Sequence, residues 1–240
     1  MSNNPFSFGM AEIADDLGRT SAHIPASALV YSEVRSRIVS LQLPPQTTLS
    51  RAELAEQFNV SQSPVREAIL RLEQDGLVVS YPQSRTEVTK IDVVRIREEH
   101  FLRIATECEV VRQLSRLQPG AALAKAKGFI KMQEALVDDV EQAALFRQLD
   151  EAFHAALFAG VGQSNLHAHV TARCGNLARV RSLDLPRAVK MMSVLKGHKA
   201  AIEAIEAGDG EAAAAAMREH LSGTMERLPE IIRENAPLFT

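Results

Sequence analysis

Residues 50–76 constrain the fold of this chain more than any other stretch, because they hold two short amphipathic segments separated by a tight turn. The first segment opens at Ser50 with the S-x-x-E pattern of a capping box. The turn is residues 59–61, and Pro64 lies in the first turn of the second segment, where its missing N–H costs little. Gly76 then occupies the position after a helix that glycine favours. The stretch therefore predicts a helix-turn-helix.

The flanking sequence extends this unit into a small domain over residues 28–90. An apolar stripe over 28–41 predicts a preceding helix, and the β-prone runs LVVSY and TEVTK, separated by residues 82–85, predict a hairpin. This order is a winged helix-turn-helix, whose second paired helix lies in the DNA major groove. Seven Arg and Lys residues balance seven Asp and Glu residues here, so DNA binding requires the basic groups to share one face. A small helical domain with no role in DNA binding remains an alternative.

Residues 91–240 read as one helix after another, in keeping with many Ala and Leu residues and few aromatic ones. Helix-breaking residues divide the region into six predicted helices, at 92–117, 120–139, 141–161, 164–182, 186–207 and 210–232. The predicted fold is therefore mainly α, with an N-terminal winged helix-turn-helix followed by an antiparallel six-helix bundle. Residues 1–27 are expected to form an N-terminal arm.

The composition disfavours several classes of protein. The two cysteines provide neither a disulfide framework nor a CxxC metal site, and no apolar run of 18 residues predicts a membrane span. The N-terminus lacks the basic and apolar regions of a signal peptide. We therefore expect a cytoplasmic protein without a membrane partner. The net charge of −3 does not by itself indicate a nucleic-acid partner.

Four polar residues interrupt apolar helix faces in the second region. Asp150 and His154 are spaced i, i+4 and share a face, whereas His198 and His220 lie about ten residues on either side of the turn at Gly208. Ten helical residues span about 15 Å, so the two histidines are level in an antiparallel hairpin. Three imidazoles and a carboxylate suit zinc, nickel, iron, manganese or cobalt. Separate core histidines that bind no metal remain the alternative.

The stretch SPVREAILRLEQDGL, with the LA and VS pairs before it, closely resembles the DNA-binding domain of GntR-family bacterial transcription regulators. The all-helical remainder resembles the FadR-type subfamily, and six helices resemble its VanR branch. The resemblance implies DNA contacts by Arg51, Ser63, Pro64, Arg66, Ser84 and Arg85. The chain departs from the family at Gln62, where Arg is common, and at the wing, where Gly is usual. Gln62 can read adenine without adding charge, and Arg85 is expected to supply the charge that Gln62 lacks.

The resemblance also implies a ligand site in the helical region. Metal-binding members carry D-x-x-x-H and then a His in each of the last two helices, which the four residues above match, with zinc as the expected ion. Arg103, with Glu107 at i+4, corresponds to an Arg that commonly points to a ligand, so we expect it to bind an effector carboxylate. A solvated ion pair is the alternative for these two residues. Arg173 and Arg179 are further candidates, although both, like Arg181, also fit the role of surface charges.

These features together predict a ligand-responsive transcription regulator, and in particular a repressor, that binds double-stranded operator DNA as a homodimer. A small organic acid would bind the metal and Arg103, shift the bundle and change the spacing of the two recognition helices. The alternative is a metal-dependent hydrolase or oxygenase. No HExxH motif supports that alternative, so no enzyme activity is expected. His167 and His169 follow a turn and are expected at the surface.

Overall fold

The computed structural model describes residues 24–82 and 84–240. Most of the predicted N-terminal arm, and Gln83 of the predicted wing turn, lie outside the described residues. Within the last residues assigned to the arm, the first helix already begins at Ala26. The fold class predicted from the sequence, a winged helix-turn-helix followed by a mainly helical domain, is confirmed.

The described part of the winged domain contains helices and short strands in the predicted order. These are α1 (Ala26–Val39), β1 (Thr48–Leu49), α2 (Arg51–Gln57), α3 (Gln62–Gln74), β2 (Val78–Ser80) and β3 (Thr86–Val88). The Ser50 side chain accepts a hydrogen bond from the Glu53 N–H, so α2 begins where the capping pattern predicts. Gly76 has a φ of +73°, the left-handed conformation that terminates α3.

The small sheet has one strand more than predicted. β3 lies between β1 and β2 and pairs antiparallel with both. β1 is only two residues long, too short to show an apolar alternation in the sequence. An apolar core that includes Val34, Val65 and Leu72 holds α3 against α1. The first residues of α3 are left exposed at the surface.

The chain described beyond residue 91 contains eight α-helices, not the six predicted. They are α4 (Val93–Leu117), α5 (Gly120–Glu134), α6 (Ala143–Gly160), α7 (Ser164–Arg173), α8 (Gly175–Asp184), α9 (Ala188–Glu206), α10 (Gly210–Glu226) and α11 (Leu228–Glu234). Short 3₁₀ helices cover Val140–Gln142 and Ala236–Leu238. The predicted helix 164–182 is divided at Cys174, and the predicted helix 210–232 is divided at Arg227.

A buried carboxylate explains the division between α7 and α8. Glu99 of α4 accepts hydrogen bonds from the Leu177 N–H at 2.7 Å, the Asn176 N–H at 3.3 Å and the Asn176 side chain at 2.8 Å. Free N–H groups at a helix start favour a carboxylate, so Glu99 stabilises a new helix start at Gly175. Burial raises the pKa of Glu99, and these hydrogen bonds oppose the rise. Local sequence patterns around Gly175 cannot reveal Glu99, because it lies 77 residues before Asn176 in the chain.

The same residues join the two domains. Asn176 Oδ1 accepts hydrogen bonds from the Asp92 N–H at 3.0 Å and from Arg179 Nη2 at 2.7 Å. Arg179 Nη1 donates to the Thr89 carbonyl at 2.6 Å. We call Glu99, Asn176 and Arg179 the junction cluster. It fixes α8 against the segment that connects the wing to α4.

The long helix α4 packs against α6, α8, α9 and α10, and α5 packs on α6 and α9. Their shared core is largely apolar and includes Val111, Leu114, Phe153 and Ile202. Several buried polar side chains from the same helices are the exception. No helix in the two described ranges is both long and apolar enough to cross a membrane.

Candidate metal and effector site and candidate DNA-binding surface

Three helices of the bundle bring four metal-ligating side chains together. Asp150 and His154 of α6, His198 of α9 and His220 of α10 each contribute one ligand atom, and these atoms all lie within 4.8 Å of one another. His198 Nε2 is 3.4 Å from Asp150 Oδ1, and the Nε2 atoms of His154 and His220 are 3.3 Å apart. We call these four residues the histidine cluster. The candidates that the sequence offered are therefore neighbours in the fold.

A glutamine from α5 orients His198. Gln133 Oε1 lies 2.8 Å from His198 Nδ1, and both side chains are fully buried. Because a carbonyl oxygen only accepts, the ring proton belongs on Nδ1, and Nε2 keeps its lone pair toward the cluster. The Phe153 ring stacks on the imidazole with centroids 3.9 Å apart. Burial lowers the pKa of His198 to about 4, so the ring is neutral at pH 7, as a metal ligand must be.

Two charged residues of α4 orient His154. Glu107 Oε2 lies 2.6 Å from His154 Nδ1, and Glu107 Oε1 accepts a hydrogen bond from Arg103 Nε at 2.7 Å. A carboxylate beside Nδ1 favours the proton there and leaves Nε2 available to a metal. Burial opposes the charge on Glu107, but Arg103 and His154 outweigh it and lower its pKa to about 2. The Arg103–Glu107 pair is therefore a buried support of the site and not a solvated surface pair.

Arg181 of α8 neutralises the carboxylate of the cluster. Its Nη2 donates to Asp150 Oδ2. Burial opposes ionisation of Asp150, but Arg181, helped by the neighbouring histidines, holds the pKa of Asp150 well below its usual range. The sequence prediction favoured a surface role for Arg181. Arg181 instead lies on α8, the helix that begins after the break at Cys174, and pairs with the buried Asp150.

Apart from His154 Nδ1, which has the Glu107 carboxylate 2.6 Å away, three polar atoms of the histidine cluster are buried without a hydrogen-bond partner among the described residues. They are Asp150 Oδ1, His198 Nε2 and His220 Nδ1. Such atoms are rare in folded proteins, since each costs about 1–3 kcal/mol. A cation among these side chains would satisfy carboxylate and imidazole lone pairs together. Three imidazoles and one carboxylate fit a divalent transition metal.

Close packing of α9 on α10 positions His220. Gly197 lies against the imidazole, and a Cβ added to Gly197 would lie 2.8 Å from both Cβ and Nδ1 of His220. Any larger residue would therefore displace His220 or separate the helices. Burial, and then the charges of His198 and His154, hold the pKa of His220 well below its usual range. The sequence contains Gly197 beside His198 but does not reveal its partner in α10.

Two small cavities border the histidine cluster. The first, of about 40 Å³, is lined by Arg103, Leu177 and Arg181 together with His154 and His167. The second, of about 20 Å³, lies on the other side of the same Arg103, Leu177 and Arg181. These three side chains therefore form the wall between the cavities. Each cavity has room for water, whereas a pocket for an organic ligand occupies about 300 Å³ or more.

Two of the three arginines predicted to bind the effector lie elsewhere. Arg173 is exposed and donates to the Gln74 carbonyl of the winged domain at 3.4 Å. Arg179 is fully buried in the junction cluster and lines neither cavity. Of the three arginines, Arg103 lines both cavities, and Arg181 lines them as well.

The two histidines of α7 differ in exposure, although both were predicted at the surface. His167 is half-buried and lines the first cavity, with its ring 5.2 Å from that of Phe158. His169 is exposed, as predicted. Residues two apart on a helix point in different directions, so only one of them can face the bundle. The sequence does not indicate which one does.

The candidate DNA-binding residues lie at the starts of two helices. Arg51 is the first residue of α2, and Gln62, Ser63, Pro64 and Arg66 belong to the first turns of α3. All are exposed except Pro64, which is half-buried. The free N–H groups at the start of α3 add partial positive charge to this surface.

The candidate DNA-binding arginines of the winged domain differ in whether they form an ion pair with a carboxylate. Ser84 and Arg85 are exposed on the wing, but Arg85 Nε is bonded to Glu87 at 2.7 Å. Arg51 and Arg66 have no carboxylate within 4.0 Å in the described ranges. The domain is neutral by count, yet two of its unpaired positive charges lie at the starts of α2 and α3.

Comparison with known proteins identifies both domains. Residues 26–88 match the family of bacterial regulatory proteins named gntR, and residues 100–223 match the FCD domain. An uncharacterized HTH-type transcriptional regulator of Streptomyces ambofaciens, in an unstable DNA locus, is 32% identical over 210 residues, covering 88% of each chain. The HTH-type transcriptional repressor RspR of Escherichia coli K12 is 30% identical over 223 residues, covering 90% of this chain and 94% of RspR.

Solved structures share the fold. Escherichia coli McbR/YncC superposes with a TM-score of 0.72 at 17% identity, covering 88% of this chain and 99% of that one. A GntR transcriptional regulator from Rhodococcus sp. RHA1 gives 0.68 at 22% identity, covering 86% and 97%. The families and relatives are transcription regulators and not enzymes, which removes the hydrolase or oxygenase alternative. The chain belongs to the GntR family and is a DNA-binding transcription regulator with an FCD effector-binding domain.

Proposed function

We propose that this regulator binds a divalent transition metal and a small organic acid in its FCD domain, and that the acid releases it from operator DNA as a repressor. The observation that carries the proposal is the histidine cluster, in which four potential ligands converge and three of their buried polar atoms lack a partner. Zinc is the ion we expect, with nickel, iron and manganese as alternatives. The protein would act in the cytoplasm as a homodimer, to match the two half-sites of an operator.

The metal would be held by the four residues of the histidine cluster, Asp150, His154, His198 and His220. When bound, it would offer a Lewis-acidic partner to an effector carboxylate. Gln133 and Glu107 fix the ring protons of His198 and His154 on Nδ1, so that both rings are ready to bind without reorientation. Such supporting contacts typically change metal affinity by about 10–100-fold.

Arg103 and Arg181 would bind the effector carboxylate beside the metal. Arg103 commits its Nε to Glu107, which leaves its two terminal nitrogens outside that bond. Arg181 now pairs with Asp150 and forms part of the wall between the two small cavities. An incoming carboxylate can replace Asp150 as the partner of Arg181 and so join the cavities into one pocket. Because Arg181 belongs to α8, this exchange moves the helix that contacts the winged domain.

The exposed starts of α2 and α3 would contact the operator. Arg51 and Arg66 neutralise phosphates, while Gln62, Ser63 and Pro64 approach the bases, with Ser84 and Arg85 at the wing. The proposed response therefore runs from the histidine cluster, through α8, to the helix that reads DNA. It requires the acid to bind more tightly to the form with low DNA affinity.

The test combines metal analysis with DNA binding by the full-length protein. Mass spectrometry should find about one transition-metal ion per chain in the wild type and in the control variant His169→Ala, but not in His198→Ala. Gel shifts on the DNA upstream of the gene, with a panel of small organic acids, should show release by at least one acid for wild type and His169→Ala only. The proposal is wrong if no acid changes DNA affinity, or if His198→Ala responds normally.

A further inference from the structure

The first cavity beside the histidine cluster is not built from the FCD domain alone. Arg35, a residue of α1 in the winged domain, lines it together with Arg103, Arg181 and residues of α7. α1 packs against α3, which carries the candidate DNA-reading residues, and also against α8. A ligand in this cavity would therefore touch the DNA-binding domain directly.

Arg35 differs from the other cations of the cavity in its partners. Arg103 is paired with Glu107, and Arg181 is paired with Asp150. Arg35 has no carboxylate within 4.0 Å in the part of the chain that the structure describes. Among the described residues that line the cavity, Arg35 is thus the arginine without a carboxylate partner.

The hydrogen bonds of Arg35 leave it available to an anion. Its Nη2 donates to the Thr171 carbonyl of α7, a neutral acceptor in the other domain. Its Nε is buried and has no hydrogen-bond partner among the described residues. A carboxylate can accept from Nε and a terminal nitrogen together, and such a charged two-bond contact is stronger than one bond to a carbonyl. An acidic group in the cavity would thus attract Arg35 away from Thr171.

The lining of the cavity points to the chemistry of the ligand. Arg103 and His154, beside the histidine cluster, and Arg35 of α1 all line it. The two carboxylates in the lining, Glu107 and Glu151, are already paired with Arg103 and Arg147. Several of the other lining residues are aliphatic, including Val170, Leu177 and Ala178. A short carbon chain with an acidic group at each end matches these charges and this apolar surface, in the larger pocket formed when Arg181 leaves Asp150 and the two cavities join.

We propose that Arg35 is a ligand-binding residue and that the effector is a short aliphatic dicarboxylate. This inference rests on the proposed function, because one carboxylate binds at the cluster and Arg103 while the other binds Arg35. The second carboxylate joins the two domains through the ligand and replaces the direct Arg35–Thr171 bond. The effector then acts on α1, and through it on α3, as well as on α8.

The test measures binding of three- to six-carbon dicarboxylates, and of monocarboxylates of the same chain length, to full-length zinc-loaded protein by calorimetry. At least one dicarboxylate should bind about tenfold or more tightly than its matched monocarboxylate, since a charged hydrogen bond to Arg35 is added. Arg35→Gln should remove that excess and leave monocarboxylate binding unchanged. Arg35→Lys, which keeps the charge but not the paired donors, should retain part of it.

Arg173→Gln is the matched control. Arg173 also donates from one domain to a backbone carbonyl of the other, but it does not line the first cavity. This variant should keep the full preference for the dicarboxylate. The inference is overturned if no dicarboxylate is preferred, or if Arg35→Gln keeps the preference. Monocarboxylate binding that depends on Arg103 would in that case still support the proposed function, whereas binding of neither class would overturn both.

Discussion

The FCD domain contains two buried polar clusters that differ in how completely their hydrogen bonds are satisfied. In the junction cluster, hydrogen bonds are accepted by both carboxylate oxygens of Glu99 and by the side-chain oxygen of Asn176. Among the described residues, Nε is the one nitrogen of the Arg179 guanidinium that lacks a hydrogen-bond partner. In the histidine cluster, Asp150 Oδ1, His198 Nε2 and His220 Nδ1 are without partners among the described residues. The junction cluster is buried throughout and the histidine cluster is buried except for the half-buried His220, so burial alone does not distinguish them.

The difference indicates two uses of buried polar groups. A network in which donors and acceptors match has no remaining capacity for a ligand and stabilises one arrangement of the chain. A set of unpartnered lone pairs destabilises the protein until something binds to it. We therefore assign the junction cluster to structure and the histidine cluster to binding, and the following predictions test that division.

Removing the carboxylate of the junction cluster should have the largest effect on stability. Glu99→Ala leaves two backbone N–H groups at the start of α8 without an acceptor and Arg179 without its nearby negative charge. We expect the free energy of unfolding to fall by about 3–5 kcal/mol, the range for a broken buried pair. Urea denaturation of the metal-free protein measures this change.

The neighbouring residue provides the control for that prediction. Glu98 is exposed, so Glu98→Ala should change the free energy of unfolding by less than about 0.5 kcal/mol. A loss of less than about 1 kcal/mol for Glu99→Ala would contradict the structural role of the junction cluster.

The histidine cluster should behave in the opposite way. His220→Gln should change the stability of the metal-free protein little, since among the described residues His220 Nδ1 has no partner to lose and His220 Nε2 has only the 3.3 Å contact with His154 Nε2. Zinc at about 1,000 times its Kd should raise the free energy of unfolding of the wild type by about 4 kcal/mol, and a chelator should abolish the gain. The variant should gain much less. A metal-free variant as unstable as Glu99→Ala would show that the cluster is structural after all.

The sequence predicted the binding cluster better than the structural one, for a physical reason. Asp150 and His154 are linked by helical spacing, and His198 and His220 by their equal distance from one turn. The resemblance to metal-binding family members then joined the two pairs into one site. Glu99 acts on a helix start 77 residues away, and no periodicity records such a contact. The winged domain was also predictable, because the residues that begin and end its helices lie in the local sequence.

The supporting residues of the site were missed for the same reason. Gln133 acts on His198 across 65 residues, and Arg181 acts on Asp150 across 31. Two helix breaks, at Cys174 and Arg227, were also missed. The first depends on the distant Glu99 of α4, whereas the second has a local signal, Pro229 in the first turn of α11, that the prediction overlooked.

Gln133 allows a finer test of the binding cluster. Gln133→Leu removes the acceptor that holds the His198 proton on Nδ1, so zinc affinity should fall by about 10–100-fold. Gln133→Glu keeps an acceptor oxygen and should retain more of the affinity. Competition with a chromophoric chelator measures both. Equal loss in the two variants would indicate that Gln133 serves packing and does not orient the imidazole.

The same distinction between paired and unpaired groups applies, with smaller effects, to the surface of the winged domain. Arg66 has no carboxylate within 4.0 Å among the described residues, whereas the guanidinium of Arg71, on the same helix, lies over the Tyr31 ring at 3.9 Å. Arg66→Ala should weaken DNA binding and reduce the slope of log affinity against log salt by about 1, as for one lost phosphate contact. Arg71→Ala should leave that slope unchanged. Fluorescence anisotropy with the upstream DNA at several salt concentrations measures both slopes. An equal reduction of the slope in the two variants would mean that the contacts of an arginine within the domain do not decide whether it binds DNA.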